Sequence, residues 1–225
     1  MGNPKRLSCF ISLEGGEGSG KTSQINKLAS FLTDQGYNVV TTREPGGTEE
    51  AEAIRNVLVQ RDGGNWTPMA EVLLLYAARV MHVDNVIRPA LENGKIVICD
   101  RFSDSTFAYQ GYGRGMNLDQ INAVHELTLG SFQPDITFLL DIESRAGLER
   151  SKKRLAIEQG YEQTEDRFER MELEFHERLR EGFLKIVDEN SERCRIVDAS
   201  QPIDDVHANI KSHVIQKLAD IEKSS

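Results

Sequence analysis

The chain has 225 residues, of which 39% are hydrophobic and 28% charged, a balance typical of a globular protein with a substantial core. Its 27 basic and 36 acidic residues give a formal net charge of −9, which argues against a general binder of nucleic acid or anionic membranes. The apolar stretch after Lys5 and Arg6 stops at Glu14, too short for a signal peptide or a membrane span, so we expect a cytoplasmic protein.

Short apolar stretches predict the strands of the protein. They lie at 7–13, 37–42, 96–99, 136–140 and 195–197. Apolar residues at helical spacing, or a long apolar run, predict helices between these strands and after the last one. The helices are expected over 25–36, from Thr48, and over 69–91, 103–110, 117–130, 143–154, 168–183 and 203–214, with a kink or a fresh start at Pro89.

Alternation of strands and helices predicts an α/β fold, with a parallel sheet covered by helices on both faces, in one domain spanning 1–225. The cysteines at 9, 99 and 194 are far apart and form no CxxC pair. This spacing argues against a disulfide framework or a structural zinc site and fits a reducing compartment. Because each cysteine falls in or beside a predicted strand, we expect all three in the core.

A glycine-rich segment between the first strand and the first helix fits the pattern GxxxxGK[ST] without a mismatch. Its residues are Gly15, Gly16, Glu17, Gly18, Ser19, Gly20, Lys21 and Thr22. The glycines let backbone N–H groups surround phosphates, to which the helix N-terminus adds its dipole. Lys21 supplies a positive charge and Thr22 a hydroxyl ligand for Mg²⁺. The pattern, in this context, predicts a site for a nucleoside triphosphate.

Three arginines suggest a second anionic ligand. Arg79 lies within an apolar run, where an unpaired charge would cost several kcal/mol, so it must face either a buried acid or an anionic ligand. Arg101 follows a strand end, where open α/β sheets bind ligands, although a surface ion pair is the alternative. Arg55, on the helix after Thr48, is equally consistent with a solvated and a functional side chain.

Five segments that occur in a fixed order make the chain similar to the bacterial thymidylate kinases. They are the glycine-rich segment 15–22, REPGGT at 43–48, YAAR at 76–79, DRF at 100–102 and YQG at 109–111. The resemblance implies the P-loop nucleoside monophosphate kinase fold, with five parallel strands, helices on both faces, a short lid, and the Asp-Arg strand beside the P-loop strand. It also implies transfer of the γ-phosphate of ATP to dTMP, with Mg²⁺ as cofactor, and a homodimer packed through helices.

The same resemblance implies roles for individual residues. Arg79 would hold the thymine, Arg101 the 5′-phosphate, and Arg55 would join the phosphate clamp. Glu17 matches the acidic position that contacts the 3′-hydroxyl or a metal-bound water. The remaining residues expected to bind dTMP are Arg43, Pro45, Leu75, Ser105, Thr106, Tyr109 and Gln110.

Two positions distinguish this chain within the family pattern. Many members have a stacking phenylalanine where this chain has Leu75, so we expect apolar contact from Leu75 or a contribution from Tyr76. Some members have an arginine in the P-loop where this chain has Gly18, and those with glycine resemble the subtype whose catalytic arginines lie in the lid. Here the lid corresponds to about 150–167, and the candidates are Arg154 first, then Arg150 and Arg167.

The expected chemistry needs no general base, because a phosphate monoester is mostly a dianion at neutral pH. Catalysis is then alignment and charge neutralisation by Lys21, Mg²⁺, Arg101 and a lid arginine. Asp100 is expected to contact the metal shell or orient Arg101, whereas Asp141 more closely suits the N-cap of the next helix. The alternatives are a kinase of another nucleotide such as dUMP or CMP, a nucleoside kinase, and a switch that hydrolyses ATP to change partners.

Overall fold

The computed structural model of the chain describes residues 7–59, 64–157, 168 and 171–224, without the side chains of 154–157 and 224. Within these residues, five strands form one parallel sheet in the order β2-β3-β1-β4-β5. The strands are β1 (Cys9–Glu14), β2 (Val39–Arg43), β3 (Ile96–Asp100), β4 (Ile136–Asp141) and β5 (Cys194–Asp198). The predicted parallel sheet is thus confirmed, and the strand that ends in Asp100 lies beside the P-loop strand.

Helices flank this sheet on both sides. They are α1 (Lys21–Asp34), α2 (Glu49–Val59), α3 (Pro68–His82), α4 (Arg88–Glu92), α5 (Ser103–Thr106), α6 (Leu118–Leu129), α7 (Ser144–Ile157), α8 (Leu173–Glu189) and α9 (Ile203–Ser224). None of the helices found in the described residues is both long enough and apolar enough to cross a membrane.

The side chains of β1 alternate between two hydrophobic layers, because successive residues of a strand point to opposite faces of a sheet. Ile11 and Leu13 pack with residues of α1 and α9 on one face. Phe10 packs on the other face with Tyr76 and Phe102. Both layers are buried, which explains why the strand sequences are almost continuously apolar. The three cysteines are free and buried, as predicted.

The apolar run at 69–91 is not one helix but three segments. Helix α3 ends at His82, a π-helical turn covers Val83–Ile87, and α4 begins at Arg88. Pro89 has no N–H to donate, and its ring would collide with the carbonyl four residues earlier in a regular helix, so the wider turn lies just before it. The predicted irregularity at Pro89 is therefore observed as a change of helix type.

The predicted helix at 103–110 likewise becomes α5 followed by a π-helical segment, Phe107–Gly113. Glycine is required at the end of this segment because a Cβ on Gly113 would lie 2.6 Å from the Phe175 ring. Helix α8 therefore packs directly against the segment that carries Tyr109 and Gln110. This packing positions one wall of the site described below.

The start of α7 differs from the expectation for Asp141. Glu143 accepts the backbone N–H groups of Arg145 and Ala146, at 3.1 and 2.8 Å, and so supplies the cap of α7. Asp141 instead accepts two hydrogen bonds from Arg180, at 2.7 and 2.8 Å. The N-cap interpretation of Asp141 is wrong because a bidentate arginine on α8 occupies both carboxylate oxygens.

Candidate active site

The glycine-rich segment forms a turn between β1 and α1 that only glycines can adopt in several places. Gly15, Gly18 and Gly20 have φ values of +139°, +70° and +89°. A Cβ on Gly15 would lie 2.6 Å from the carbonyl oxygen of Leu140, so this side of the turn rests directly on the end of β4. Helix α1 begins immediately after the turn, at Lys21, and directs its N-terminus at the loop.

Lys21 lies inside the loop that it closes. Its Nζ donates to the carbonyl oxygens of Gly15 and Gly16, at 3.1 and 3.2 Å. Burial, together with the nearby charge of Arg101, lowers the pKa of Lys21 to about 8. An added phosphate would oppose this shift, because an anion favours the charged form of the amine.

Arg101 lies in a sharp turn that Glu14 anchors. Its φ of 68° is in the left-handed region, which is strained for a residue with a side chain. Glu14, buried at the end of β1, accepts the backbone N–H of Phe102 at 2.7 Å and the hydroxyl of Ser105 at 2.5 Å. Burial, with the neighbouring charge of Asp104, raises the pKa of Glu14 to about 8. The backbone that follows the strained residue is thereby fixed.

The guanidinium of Arg101 contacts both the P-loop and α5, the short helix that follows it. Its Nη1 donates to Gly15 O at 2.9 Å and to Ser105 Oγ at 3.2 Å, and Nη2 lies 3.5 Å from Glu17 Oε1. Burial alone would lower the pKa of Arg101, but Tyr109, Glu17 and other acidic neighbours raise it above the ordinary value. A permanently charged group therefore lies between the loop and the cavity beyond it.

Glu17 is held in its ionised form. Tyr109 donates its hydroxyl to Glu17 Oε1 at 2.6 Å, and His176 Nδ1 lies 3.5 Å from Oε2. Burial opposes ionisation, but nearby His176, the charge of Arg101 and the hydrogen bond from Tyr109 lower the pKa of Glu17 to about 2. Tyr109 is therefore more than a packing aromatic, since its hydroxyl is part of this charged cluster.

Arg79 is paired with a buried acid, one of the two possibilities that the sequence left open. Its Nε donates to Glu44 Oε2 at 2.6 Å, and its Nη2 donates to the hydroxyl of Thr106 at 3.0 Å. Glu44 also accepts from His82 Nδ1 at 3.0 Å, while His82 Nε2 contacts the hydroxyl of Thr42 at 2.7 Å. Nη1 of Arg79 has no hydrogen-bond partner among the described residues. A donor therefore remains available on this side chain.

A cavity extends from Glu17 along these groups and brings together ten of the eleven residues expected to bind dTMP. They are Glu17, Pro45, Arg55, Leu75, Arg79, Arg101, Ser105, Thr106, Tyr109 and Gln110. Glu44, which the family resemblance places with Pro45 in a wall near the nucleoside, also lines the cavity. The residues that the sequence interpretation had not assigned to the lining are Leu58, Val59, Glu71, Phe102 and Phe168. Leu75 thus faces the cavity, whereas Tyr76 is buried beneath Arg79 with its hydroxyl 3.1 Å from His125 Nδ1.

Arg43 is the one expected dTMP contact that does not line this cavity. Its side chain is 53% exposed and pairs with Glu52, with Nη2 at 3.0 Å from Oε2. Glu52 in turn accepts the backbone N–H of Gly47 at 3.1 Å. Arg43 therefore contacts the turn that carries Pro45 rather than the cavity itself. Arg55 does line the cavity and donates to the carbonyl oxygen of Pro45 at 3.0 Å.

The candidate lid arginines are only partly described. Arg150, on α7, donates to the carbonyl oxygens of Ala199 and Ser200, at 2.8 and 3.5 Å, in the loop that follows β5. The side chain of Arg154 lies outside the described residues, as do Arg167 and the rest of 158–167. The same helix begins against the P-loop, because a Cβ on Gly18 would lie 2.0 Å from the carbonyl oxygen of Gly147.

The groups suggested for Mg²⁺ fit a metal that accompanies a nucleotide. Oδ1 of Asp100 is buried and has no hydrogen-bond partner among the described residues. Thr22 is exposed in the first turn of α1. The described residues contain no cluster of three or more histidine, cysteine or acidic side chains arranged to hold a metal. Mg²⁺ bound mainly through phosphates and water needs only one or two protein ligands, so these two residues suit it.

Sequence reasoning did not find Glu14, Glu71 or His82. Glu71 lies at the start of the same apolar run as Arg79 and is 1% exposed, so the rule that a buried charge needs a partner applies to it equally. Glu14 directly precedes the P-loop at the end of a buried strand, where an acid is unusual. The partner of His82 lies 38 residues away, and no local pattern indicates such a contact.

Taken together, a P-loop and an arginine-lined cavity at the carboxyl end of a five-stranded parallel sheet are the architecture of a nucleoside monophosphate kinase. A family model described as thymidylate kinase matches residues 13–210. The thymidylate kinase of Syntrophotalea carbinolica is 48% identical over 200 residues, covering 89% of this chain and 92% of that protein. The thymidylate kinase of Caulobacter vibrioides is 46% identical over 209 residues, covering 93% and 97%.

The fold is also similar to the crystal structure of thymidylate kinase from Ehrlichia chaffeensis. That structure has a TM-score of 0.74 and 36% sequence identity, covering 93% of this chain and 99% of that one. The chain belongs to the thymidylate kinase family.

Proposed function

We propose that the chain transfers the γ-phosphoryl group of ATP, accompanied by Mg²⁺, to the 5′-phosphate of dTMP, giving dTDP and ADP. Membership of the thymidylate kinase family makes dTMP the phosphoryl acceptor. The observation that carries the mechanism is the position of Arg101. Its guanidinium contacts the P-loop carbonyl of Gly15 and also lines the adjoining cavity.

Phosphoryl transfer between these two sites needs alignment and charge neutralisation but no general base. The acceptor phosphate is largely a dianion at neutral pH and is already nucleophilic. Lys21 and Arg101 supply positive charge beside the transferring group, and Glu14 holds the backbone of Arg101 in the required conformation. Arg55, which also lines the cavity, completes the clamp around the acceptor phosphate.

Thr22 and Asp100 are the residues that would hold Mg²⁺, which supplies charge neutralisation at the phosphates of ATP when bound. The unpartnered oxygen of Asp100 supports this assignment. Asp100 is the last residue of β3 and is in register with Leu13 of β1, so the sheet holds the backbone that carries this carboxylate beside the P-loop strand.

The nucleoside part of dTMP would lie along the cavity away from the P-loop. Arg79 and Gln110 face the base, with apolar contact from Leu75, and Glu17 receives the 3′-hydroxyl. Ser105, Thr106, Tyr109 and Pro45 complete the lining of the cavity. Arg43 supports this part of the cavity indirectly. Its guanidinium binds Glu52, and Glu52 accepts the backbone N–H of Gly47 in the turn that carries Pro45.

The lid is proposed to comprise about 150–167 within a single catalytic domain spanning 1–225. Arg154 is the preferred catalytic arginine, followed by Arg150 and Arg167. The contact of Arg150 with the carbonyl groups of Ala199 and Ser200 connects α7 to the loop after β5, where the family resemblance implies the adenine contacts. Closure of this segment over ATP would exclude water and limit hydrolysis.

We further propose a homodimer and a cytoplasmic location. Val57, Leu73 and Leu127, on α2, α3 and α6, are 41%, 53% and 86% exposed. Because α3 packs against both α2 and α6, these side chains provide an apolar surface of the kind that helices bury in a dimer. Sedimentation equilibrium should give twice the chain mass, and the mass of one chain would contradict the dimer. The three buried free thiols support a reducing compartment.

The proposed mechanism predicts that Arg101→Ala lowers kcat for dTMP phosphorylation by about 10³-fold or more, since a phosphate-stabilising arginine contributes that order of rate. The KM for ATP should change far less, because Lys21 and the loop backbone remain. Arg88→Ala is the matched control, as that arginine is 45% exposed, pairs with Asp84 and lies over the Phe132 ring, and does not line the cavity. A turnover of Arg101→Ala close to that of the control would remove Arg101 from the mechanism.

A further inference from the structure

Glu71 is a buried acid for which the proposed reaction provides no role. It lies in the first turn of α3, is 1% exposed, and lines the same cavity as Gln110. Both of its carboxylate oxygens are engaged. Arg114 donates from Nη1 to Oε1 in an ion pair, and Gln110 donates from Nε2 to Oε2 at 3.2 Å.

These contacts fix the orientation of the Gln110 amide. A glutamine amide has one end that donates and one that accepts, and a carboxylate in an ion pair only accepts. The NH₂ group of Gln110 must therefore face Glu71, which leaves Oε1 as the atom available to a ligand. Gln110 is buried, and Oε1 has no hydrogen-bond partner among the described residues.

In the part of the chain that the structure describes, Arg79 has an unpartnered hydrogen-bond donor where Gln110 has an unpartnered acceptor. Its Nη1 is a buried donor that also lacks a partner among the described residues, and the side chain lines the cavity. The cavity therefore offers one donor and one acceptor, each fixed by a carboxylate: Glu44 for Arg79 and Glu71 for Gln110. A buried polar group left without a partner is costly, so this pair of groups selects a base edge of complementary pattern.

A pyrimidine with a 4-oxo group and a ring N–H satisfies both atoms, because the carbonyl accepts from Arg79 and the N–H donates to Gln110. Cytosine presents an amino donor and an unprotonated ring nitrogen instead. Its amino group would meet the donor on Arg79, and its ring nitrogen would meet the acceptor on Gln110. The discrimination depends on which way the Gln110 amide faces, and hence on Glu71.

We propose that Glu71, held by Arg114, is a positioning residue that makes the cavity selective for 4-oxo over 4-amino pyrimidine nucleotides by fixing the orientation of the Gln110 amide. The inference rests on the proposed function, because it requires Arg79 and Gln110 to face the base. It assigns to Glu71 a role in substrate choice without contact with the reacting phosphates.

The test is Glu71→Gln, assayed with dTMP and dCMP in turn. In this variant Arg114 still requires an acceptor, so the new amide turns its oxygen to Arg114 and its NH₂ to Gln110. Gln110 must then accept with Oε1 and present its own NH₂ to the cavity, where it faces the ring N–H of thymine. The ratio of kcat/KM for dTMP to that for dCMP should fall by about 10- to 100-fold, the effect of one mispaired buried hydrogen bond.

The loss should appear in the KM for dTMP, with the KM for ATP and the turnover at saturating dTMP little changed. Asp104→Asn is the matched control, because Asp104 also forms a buried ion pair, with Arg193, but does not line the cavity. This substitution also removes a buried negative charge, so the stability and overall rate of the variant can change. Its ratio of kcat/KM for dTMP to that for dCMP should nevertheless remain that of the wild type.

A Glu71→Gln protein with a normal KM for ATP and the wild-type ratio would overturn the inference. If that variant does not fold, Glu71→Met combined with Arg114→Met replaces both members of the ion pair by apolar groups of similar shape. It leaves the Gln110 amide free to rotate, so its ratio should also fall, and an unchanged ratio would again contradict the role of Glu71. A wild-type protein that dTMP does not stimulate would instead refute the proposed function.

Discussion

Charged side chains in this protein are buried in pairs whose members lie far apart in sequence. Arg79 and Glu44 are 35 residues apart, and Arg193 and Asp104 are 89 apart. An isolated buried charge costs several kcal/mol, whereas a paired one also fixes the direction of its remaining donors. The pairing therefore does more than make burial tolerable, because it leaves Nη1 of Arg79 as a single oriented donor beside the cavity.

The charged cluster around Glu17 predicts a specific loss of stability in acid. The pKa of Glu17 is lowered from 4.5 to about 2 despite burial, through His176, Arg101 and Tyr109. A carboxyl whose folded pKa is depressed stabilises the protein above the unfolded pKa, and this stabilisation is lost as the pH falls through the folded pKa. It amounts to about 3 kcal/mol at neutral pH.

Equilibrium unfolding of the wild type and Glu17→Gln measures this contribution directly. The difference in their free energies of unfolding should be largest near pH 7 and should shrink by up to about 3 kcal/mol between pH 5 and pH 2. Titrating groups that do not contact Glu17 are common to both proteins and cancel in the difference. A gap that stays constant over this range would show that Glu17 is not held as an anion by its neighbours.

At the residue scale, the sequence predicts the need for a partner but not its identity. The position of Arg79 in an apolar run indicates that it must meet an acid or an anionic ligand, and the structure shows that an acid, Glu44, is its partner. The same reasoning would have identified Glu71, whose partners Gln110 and Arg114 come from a later segment. Contacts of this kind depend on packing between distant segments, which local patterns do not encode.

Two glycines bring helix α7 into direct contact with the P-loop. A Cβ on Gly147 would lie 2.5 Å from the carbonyl oxygen of Glu17, and one on Gly18 would lie 2.0 Å from the carbonyl oxygen of Gly147. In both cases the added Cβ would meet a backbone oxygen, which cannot rotate away as a side-chain atom can. The helix that carries Arg150 therefore starts at a position set by the P-loop.

This contact predicts the effect of Gly147→Ala. In an isolated helix the substitution would be favourable by about 1 kcal/mol, because alanine is the better helix former. Here the added methyl group would force α7 away from the P-loop, so we expect a lower Tm and a KM for ATP raised by about tenfold, a difference of about 1.4 kcal/mol. Glu149→Ala, exposed on the same helix, is the control and should change neither. A higher Tm with an unchanged KM for ATP would show that the contact does not matter.

At the element scale, the positions of helices and strands follow from the sequence better than their internal geometry does. The sequence places an irregularity at Pro89, but the π-helical turn before it depends on packing around Val83 and Ile87, which are fully buried. The position of Asp141 at a strand end suggests that it caps the next helix. Its carboxylate instead binds Arg180, which lies 39 residues later in the sequence and so leaves no local signal.

At the scale of the whole molecule, the fold places the P-loop and the arginine-lined cavity next to each other, at the carboxyl ends of the parallel strands. All five strands described are parallel, so the ends of β1 and β3 lie side by side, with Leu13 in register with Asp100. The P-loop follows β1 and the Asp100-Arg101 turn follows β3, which places triphosphate and acceptor groups next to each other. Alternating strands and helices predict the parallel sheet, whereas the family resemblance implied that the strand ending in Asp100 lies beside the P-loop strand.

The central claim is that this arrangement transfers phosphate from ATP specifically to dTMP. The most direct measurement is ADP release from ATP and Mg²⁺ with dTMP, dUMP, dCMP, dGMP and AMP offered separately. The donor and acceptor on Arg79 and Gln110 predict strong stimulation by dTMP and little by dCMP or AMP, whose base edges carry an amino group beside an unprotonated ring nitrogen, with Leu75 in contact with the base. Stimulation by dCMP equal to that by dTMP, or ADP release indifferent to every acceptor, would contradict the account.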